Sequence, residues 1–184
     1  LKVLFPDSVN LKKVTLLSSS TVIALPDSYF EGLTNLVEVI LPDNLTSIGQ
    51  YAFRDCHVLE SITIPDSVTS IGTEAFAYCS SLRAITLSAG LTAINYGLFE
   101  SCAALEALIL PSSLQNIREY AFARCTSLTT VYIPISVTTI YNNAFYDCPN
   151  LSIICEAECL PDTWFPYWNP DNRPVYWGGM DFGI

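Results

Sequence analysis

The stretch Leu59-Glu60-Ser61-Ile62-Thr63-Ile64-Pro65-Asp66-Ser67-Val68-Thr69-Ser70-Ile71-Gly72-Thr73-Glu74-Ala75-Phe76-Ala77-Tyr78-Cys79-Ser80-Ser81 decides the fold, because it recurs along the chain. Phe30, Phe53, Phe76, Phe99, Phe122 and Phe145 stand 23 residues apart, and a leucine follows each by six positions: Leu36, Leu59, Leu82, Leu105, Leu128 and Leu151. The same step carries Cys56, Cys79, Cys102, Cys125 and Cys148, then Ile48, Ile71, Ile94, Ile117 and Ile140, with Leu45, Val68, Leu91, Leu114 and Val137 before them. A fixed period of this length means a solenoid, in which each unit is too short to bury its own apolar face and stacking supplies the core. Each column predicts a buried ladder.

Within a unit the alternation of Leu82-Arg83-Ala84-Ile85-Thr86-Leu87 from Ile85 onward predicts a short, half-buried parallel strand. Pro42, Pro65, Ser88, Pro111 or Pro134 follows and ends the pairing, since proline lacks the N–H donor of a ladder hydrogen bond and serine competes for such bonds. Leu45 to Ile48 predicts a second extended piece, and the crowded Tyr51-Ala52-Phe53-Arg54-Asp55-Cys56 predicts a helical or 3-10 turn on the opposite wall. The expected fold class is therefore an α/β solenoid, with strands on one wall and extended pieces plus helical turns on the other. Leu11-Lys12-Lys13-Val14-Thr15-Leu16 fits the strand pattern but precedes Leu36 by 25 residues, and Leu1 to Asn10 reads as a fragment of a unit, so the array looks cut there.

The expected division is an array over residues 1–154, about six repeats with the first irregular, and a C-terminal cap over 155–184. The final segment brings Trp164, Trp168 and Trp177 within fourteen residues among prolines. An array's last unit leaves an apolar face and an open strand edge, and three indoles can cover both. A carbohydrate-binding aromatic platform is the competing reading of the same three residues.

Laid out in columns, each unit reads Leu-x-x-Ile-x-Leu-Pro-x-x-Leu-x-x-Ile-x-x-x-Ala-Phe-x-x-Cys-x-x, which resembles the BspA-type leucine-rich repeat of bacterial and protozoan surface proteins. The ending from Cys155-Glu156-Ala157-Glu158 through Trp168 to Gly178 is similar to one that closes such arrays, so the resemblance covers roughly residues 11 to 178. It implies an exported or surface-attached protein that adheres to host or neighbouring-cell proteins, and no shared catalytic set. Three departures bear on local geometry: Leu33 stands where other units have Cys, Gly97-Leu98 replaces the usual residue-Ala pair, and Ser88 replaces Pro.

Composition narrows the function classes. The 184 residues are 51% apolar and 14% charged, and 18 Asp and Glu against 8 Lys and Arg give a formal charge of −10. An acidic chain repels phosphate backbones and anionic lipid, which speaks against nucleic-acid and membrane-surface partners. Mean hydropathy is +0.37, and Cys125 to Tyr146 carries no charge, but Pro134, Asn142, Asn143 and many hydroxyl side chains break that stretch, so no spanning helix is expected. The chain begins at Leu1 without a leader, which reads as a processed or excised segment.

Catalytic and metal chemistry find little purchase. One histidine, His57, rules out a His-based triad or a multi-histidine metal site. Cys56 beside it belongs to a core ladder, and free Cys in such a column behaves as a small buried hydrophobe. Cys155 and Cys159 break the period and either pair or stay reduced. Asp7, Asp43 and Asp66 follow prolines as good turn residues. No catalytic residue, metal or cofactor is expected, and Asn44-Leu45-Thr46 and Asn150-Leu151-Ser152 are sequons that matter only in a eukaryotic secretory route.

A parallel ladder aligns its outward positions, so one face displays columns. The middle column is Thr15, Ile40, Thr63, Thr86, Ile109, Tyr132 and Cys155, flanked by Glu60, Arg83 and Glu106. This predicts a protein-binding face, candidate residues Ile40, Thr63, Thr86, Ile109, Tyr132, Glu60, Arg83 and Glu106, on a secreted or cell-surface protein. A spacer is the alternative, in which Thr and Ile merely favour strands. The tyrosines Tyr51, Tyr78, Tyr96, Tyr120 and Tyr146 mark a second candidate surface on the turn wall.

Overall fold

The computed structural model describes residues 10–17 and 24–178. The Asp7 turn and the fragment before Asn10 lie outside them. The chain winds as a parallel β-solenoid of about seven coils. Its first wall carries β1 (Lys13–Thr15), β3 (Glu38–Ile40), β5 (Ser61–Thr63), β7 (Ala84–Thr86), β9 (Ala107–Ile109), β11 (Thr130–Ile133), β13 (Ser152–Cys155) and β14 (Val175–Trp177). The second wall carries β2 (Ala24–Leu25), β4 (Ser47–Ile48), β6 (Ser70–Ile71), β8 (Ala93–Ile94), β10 (Asn116–Ile117) and β12 (Thr139–Ile140).

Pairing on the first wall is broken into β1-β3, β5-β7 and β9-β11-β13-β14, so β3 and β5, and β7 and β9, lie side by side without a ladder between them. The buried columns are those the repeat predicts: the Phe, Cys, Leu and Ile positions are at or below 2% exposed. The phenylalanine rings stack from coil to coil at centroid distances of 5.0 to 6.0 Å, and Trp168, 23 positions after Phe145, meets it edge-on at 6.1 Å.

One expectation fails. Among the described residues the turn wall contains no helix, and the architecture is all β. Each coil there has two residues in the left-handed region, at the positions two before and two after the phenylalanine: Tyr51 (φ 57°) and Asp55 (φ 61°), Glu74 (φ 51°) and Tyr78 (φ 62°), and so on through Asn143 and Asp147. A right-handed helix cannot run through such residues. The amides are also spent elsewhere: those of Tyr51, Phe53 and Asp55 donate to the Thr73, Ala75 and Ala77 carbonyls of the next coil at 2.8 to 3.0 Å. Tight turns, such as Arg54 N–H to Tyr51 O at 3.0 Å, replace the helix.

Two departures acquire reasons. Ser88 is fully buried, donates to Asp66 O at 3.2 Å and accepts from Gly90 N–H at 3.1 Å, so its hydroxyl holds the turn that proline sets in other coils. Gly97 has φ 56° in a column otherwise filled by side-chain-bearing residues.

Candidate functional site

The strand register sets the outward face. It places Thr15 beside Ile40, Thr63 beside Thr86, and Ile109 beside Tyr132. All are exposed, Ile109 by 85% and Ile40 and Tyr132 by 45% each. The flanking charges meet as well: Arg83 N–H donates to Glu60 O at 2.9 Å, and the Arg83 guanidinium lies 3.5 Å from Glu106 across exposed surface. An exposed pair of that kind adds little stability, so these side chains cost the fold little when they vary.

The column does not end at Cys155. Tyr132 pairs with Ile154, while Cys155 pairs with Ile133 and points into the core, fully buried. The cause is a shortened step. Leu128 and Val131 are separated by two residues, Leu151 and Ile153 by one, so the register slips from 23 to 22 and parity carries Cys155 inward. Ile154 pairs in turn with Tyr176, which is 39% exposed. The column therefore continues through Ile154, outward by register but covered to 8% exposure, to Tyr176, so its exposed apolar and aromatic members at this end are Ile109, Tyr132 and Tyr176. The single residue between Leu151 and Ile153 is the signal that reveals it.

The cysteine column does more than fill space. The thiols of Cys56, Cys79, Cys102, Cys125 and Cys148 each donate to the carbonyl of the phenylalanine 26 residues earlier, at 3.0 to 3.2 Å. Burial pushes the Cys79, Cys102 and Cys125 thiols well up, and Cys148 up to about 12, so each keeps the proton its bond requires. His57 donates its Nδ1–H to Tyr78 O, 2.9 Å away, while the Cys56 thiol donates to Phe30 O. Cys155 and Cys159 are free, one buried and one exposed. No group of three or more His, Cys, Asp or Glu among the described residues is placed to hold a metal ion.

On the turn wall the tyrosines are largely engaged. Arg54 lies over Tyr51 and Tyr78 at 5.4 and 5.3 Å and pairs with Glu74 at 3.2 Å, while Arg124 lies over Tyr146 at 5.7 Å and pairs with Glu100 at 2.9 Å. Tyr96 meets Tyr120 edge-on at 5.7 Å; partial burial and then the Glu100 carboxylate raise its pKa.

Of the three tryptophans, Trp164 and Trp168 are 7% and 6% exposed and cross at 5.0 Å; Trp177 lies 5.8 Å from Trp164. The Trp164 indole N–H donates to Val137 O at 3.4 Å, and Phe165 N–H to Ile140 O at 2.9 Å. This segment thus lies against the last coil, with two of its indoles turned inward. No helix of the described residues is long and apolar enough to cross a membrane.

Comparison with known proteins agrees with the geometry. The model of the BspA type leucine rich repeat region matches residues 2–106 in six copies. No curated protein sequence matches the chain. Among solved structures, a leucine-rich repeat protein of T. pallidum is 30% identical with a TM-score of 0.76, over 90% of this chain and 72% of that one. A leucine-rich repeat protein of Eubacterium ventriosum is 25% identical with a TM-score of 0.63, over 82% of this chain and 45% of that one. A leucine rich cell surface protein of Faecalibacterium prausnitzii, 22% identical with a TM-score of 0.51 over 92% of this chain and 60% of that one, shares the fold.

Proposed function

The chain belongs to the BspA-type leucine-rich repeat family, and from that premise we propose that it is a secreted or cell-surface interaction module, adhesin-like, that binds a host, neighbouring-cell or matrix protein through the outward face of its first wall. The observation that carries this reading is the exposed set Ile109, Tyr132 and Tyr176 on one outward column, with Ile109 85% exposed on a rigid ladder. A strand face with no partner favours polar side chains outward, whereas exposed Ile and Tyr on a fixed backbone supply contact area at small entropic cost. The surface location of the Faecalibacterium prausnitzii relative supports the compartment. Trp164 and Trp168, turned inward, act in this reading as the cap that closes the core, because a sugar-stacking platform needs an open ring face.

The test is retention. Immobilised residues 1–184 are exposed to a panel of matrix and cell-surface proteins, with the Ile109→Ala/Tyr132→Ala double variant in parallel. Saturable capture of one protein by the native chain, lost in the variant, is the expected result. Capture that survives the variant places binding on another face, and no capture across the panel by a folded sample favours a spacer.

A further inference from the structure

Two shallow grooves open on the strand face where the ladder is interrupted. The first, about 350 Å³, lies over the seam between β3 and β5 and is rimmed by Glu38, Ile40, Asp43, Ser61, Thr63 and Pro65. The second, about 460 Å³, lies over the seam between β7 and β9 and is rimmed by Ala84, Thr86, Ala89, Ala107, Ile109 and Pro111. Each residue of the second set stands 46 positions, two repeats, after its counterpart in the first. The backbone forms the same cleft twice, and only the chemistry differs: Glu38 and Asp43 in one become Ala84 and Ala89 in the other.

Of the two carboxylates on the first groove's rim, Glu38 is bridged by Lys13 at 2.8 Å, and Lys12 also faces outward nearby; Asp43, and Glu60 beside the groove, are exposed and enter none of the ion pairs of the described residues. The second groove has no ionisable group on its rim. With strands about 4.8 Å apart, two rungs put the grooves about 10 Å from one another along the solenoid. The ridge between them, β5 and β7, presents only Ser61, Thr63, Ala84 and Thr86, which let another backbone approach.

We propose that the two grooves form one bipartite site for a helix of a protein partner, which sets a Lys or Arg in the first groove and, seven residues along, a Leu or Ile in the second. The proposal rests on the strand face being the binding surface and names what that surface takes. Seven residues of helix advance about 10.5 Å and return to the same side, and the residues three and four along lie over the small ridge. Three residues of extended chain cover a similar distance but put the two side chains on opposite sides. Charge complementarity selects the cation, and the uncharged groove selects the aliphatic group.

The experiment titrates the isotope-labelled full chain with constrained helical peptides of about 15 residues, short of stable helix formation unaided. One carries Lys and Leu seven residues apart, in either order; the others carry them five apart, or Glu in place of Lys, and a proline-rich peptide carries Lys and Leu three apart. The expected result is amide shifts at both grooves with the first peptide, binding about tenfold weaker with the others, and a further loss of about threefold in Asp43→Asn/Glu60→Gln that added salt reproduces. Equal binding of all peptides, tightest binding of the proline-rich one, or no binding of any overturns the proposal. If that occurs while Ile109→Ala/Tyr132→Ala still abolishes capture of a protein, the strand-face reading stands and the helix assignment alone falls. If the double variant is also without effect, both fall.

Discussion

The two sides of each coil divide the labour differently. On the turn wall the coils of Phe30, Phe53, Phe76 and Phe99 each hand amide protons to the next at the same three positions, phenylalanine rings stack without a gap, and a thiol donates to the carbonyl of each phenylalanine from Phe30 to Phe122. On the strand wall pairing is interrupted twice, and the outward columns change from Lys13 and Glu38 to Ala84 and Ala107 to Tyr132. The lesson is that cohesion along this solenoid is concentrated in the turn wall, which leaves the strand wall free to vary its chemistry from rung to rung. In a stack whose stability is close to a sum of nearest-neighbour interfaces, that separation keeps binding residues out of the folding ledger.

The sharpest way to break the contrast is Phe99→Ala. Its ring is fully buried between Phe76 and Phe122, at 6.0 and 5.5 Å, so truncation opens a cavity that neither neighbour can close without leaving its own stack. The expected cost is about 3–5 kcal/mol, read from urea unfolding of the full chain. A loss below about 1 kcal/mol, typical of a surface change, means the turn wall is not where cohesion resides.

The cysteine column comes next. Cys102→Ala removes the 3.1 Å thiol donor from Phe76 O, which keeps the Cys79 N–H at 3.3 Å, and leaves a small void, an expected loss of about 1–2 kcal/mol, whereas Cys102→Ser keeps a donor and recovers part of it. A column of mere small hydrophobes predicts the opposite order, with Ala above Ser. The same thiols give a pH signature. Their native pKa values lie above the ordinary 9.0, Cys148 at about 12, so between these limits the unfolded chain has released protons that the native chain retains. Stability is therefore full below about pH 9 and falls as pH rises above it, by up to about 1.4 kcal/mol per pH unit for each fully buried thiol. A urea midpoint that is unchanged from pH 8 to pH 10.5 contradicts the role of the thiols.

The balance of what the sequence discloses follows the same division. Buried columns are legible because a fixed period repeats one side-chain type at one depth; the Phe, Leu, Cys and Ile ladders need no coordinates. The left-handed turns are not, because Tyr51, Glu74, Tyr78 and Arg124 are not residues that announce positive φ, and the coil-to-coil bonds that hold them there involve only backbone. Crowding alone then suggests a helix. On the outward face, Ile40 through Tyr132 follow from alternation, while Tyr176 is found only once the one-residue shortening after Leu151 is carried through the register. The two seams that open the grooves have no residue signature at all.

Gly97→Ala tests the left-handed column more gently. A Cβ there is strained at φ 56° and comes within 2.9 Å of Glu74 Cγ, a flexible side chain that can yield. Tyr51, Glu74, Tyr120 and Asn143 hold side chains at equivalent positions, so the expected loss is about 1 kcal/mol, and less for Gly97→Asn, which tolerates this conformation. An Ala variant as stable as the native chain shows that the turn wall does not impose the conformation.

The smallest effect is expected at Thr86→Val. Thr86 faces outward from β7 at the rim of the second groove, and valine keeps the β-branched shape that suits a strand while removing the hydroxyl. No hydrogen bond of that hydroxyl contributes to the fold, in contrast to Thr138, whose hydroxyl donates to Gln115 O at 3.3 Å on the second wall. Thermal and urea unfolding should differ from the native chain by no more than about 0.5 kcal/mol. The groove meanwhile becomes more apolar, so the Lys/Leu helical peptide should bind as well or better. A stability loss near that of Cys102→Ala means the strand wall also carries cohesion through its outward side chains, and the freedom inferred for it is then confined to fewer positions than the columns suggest.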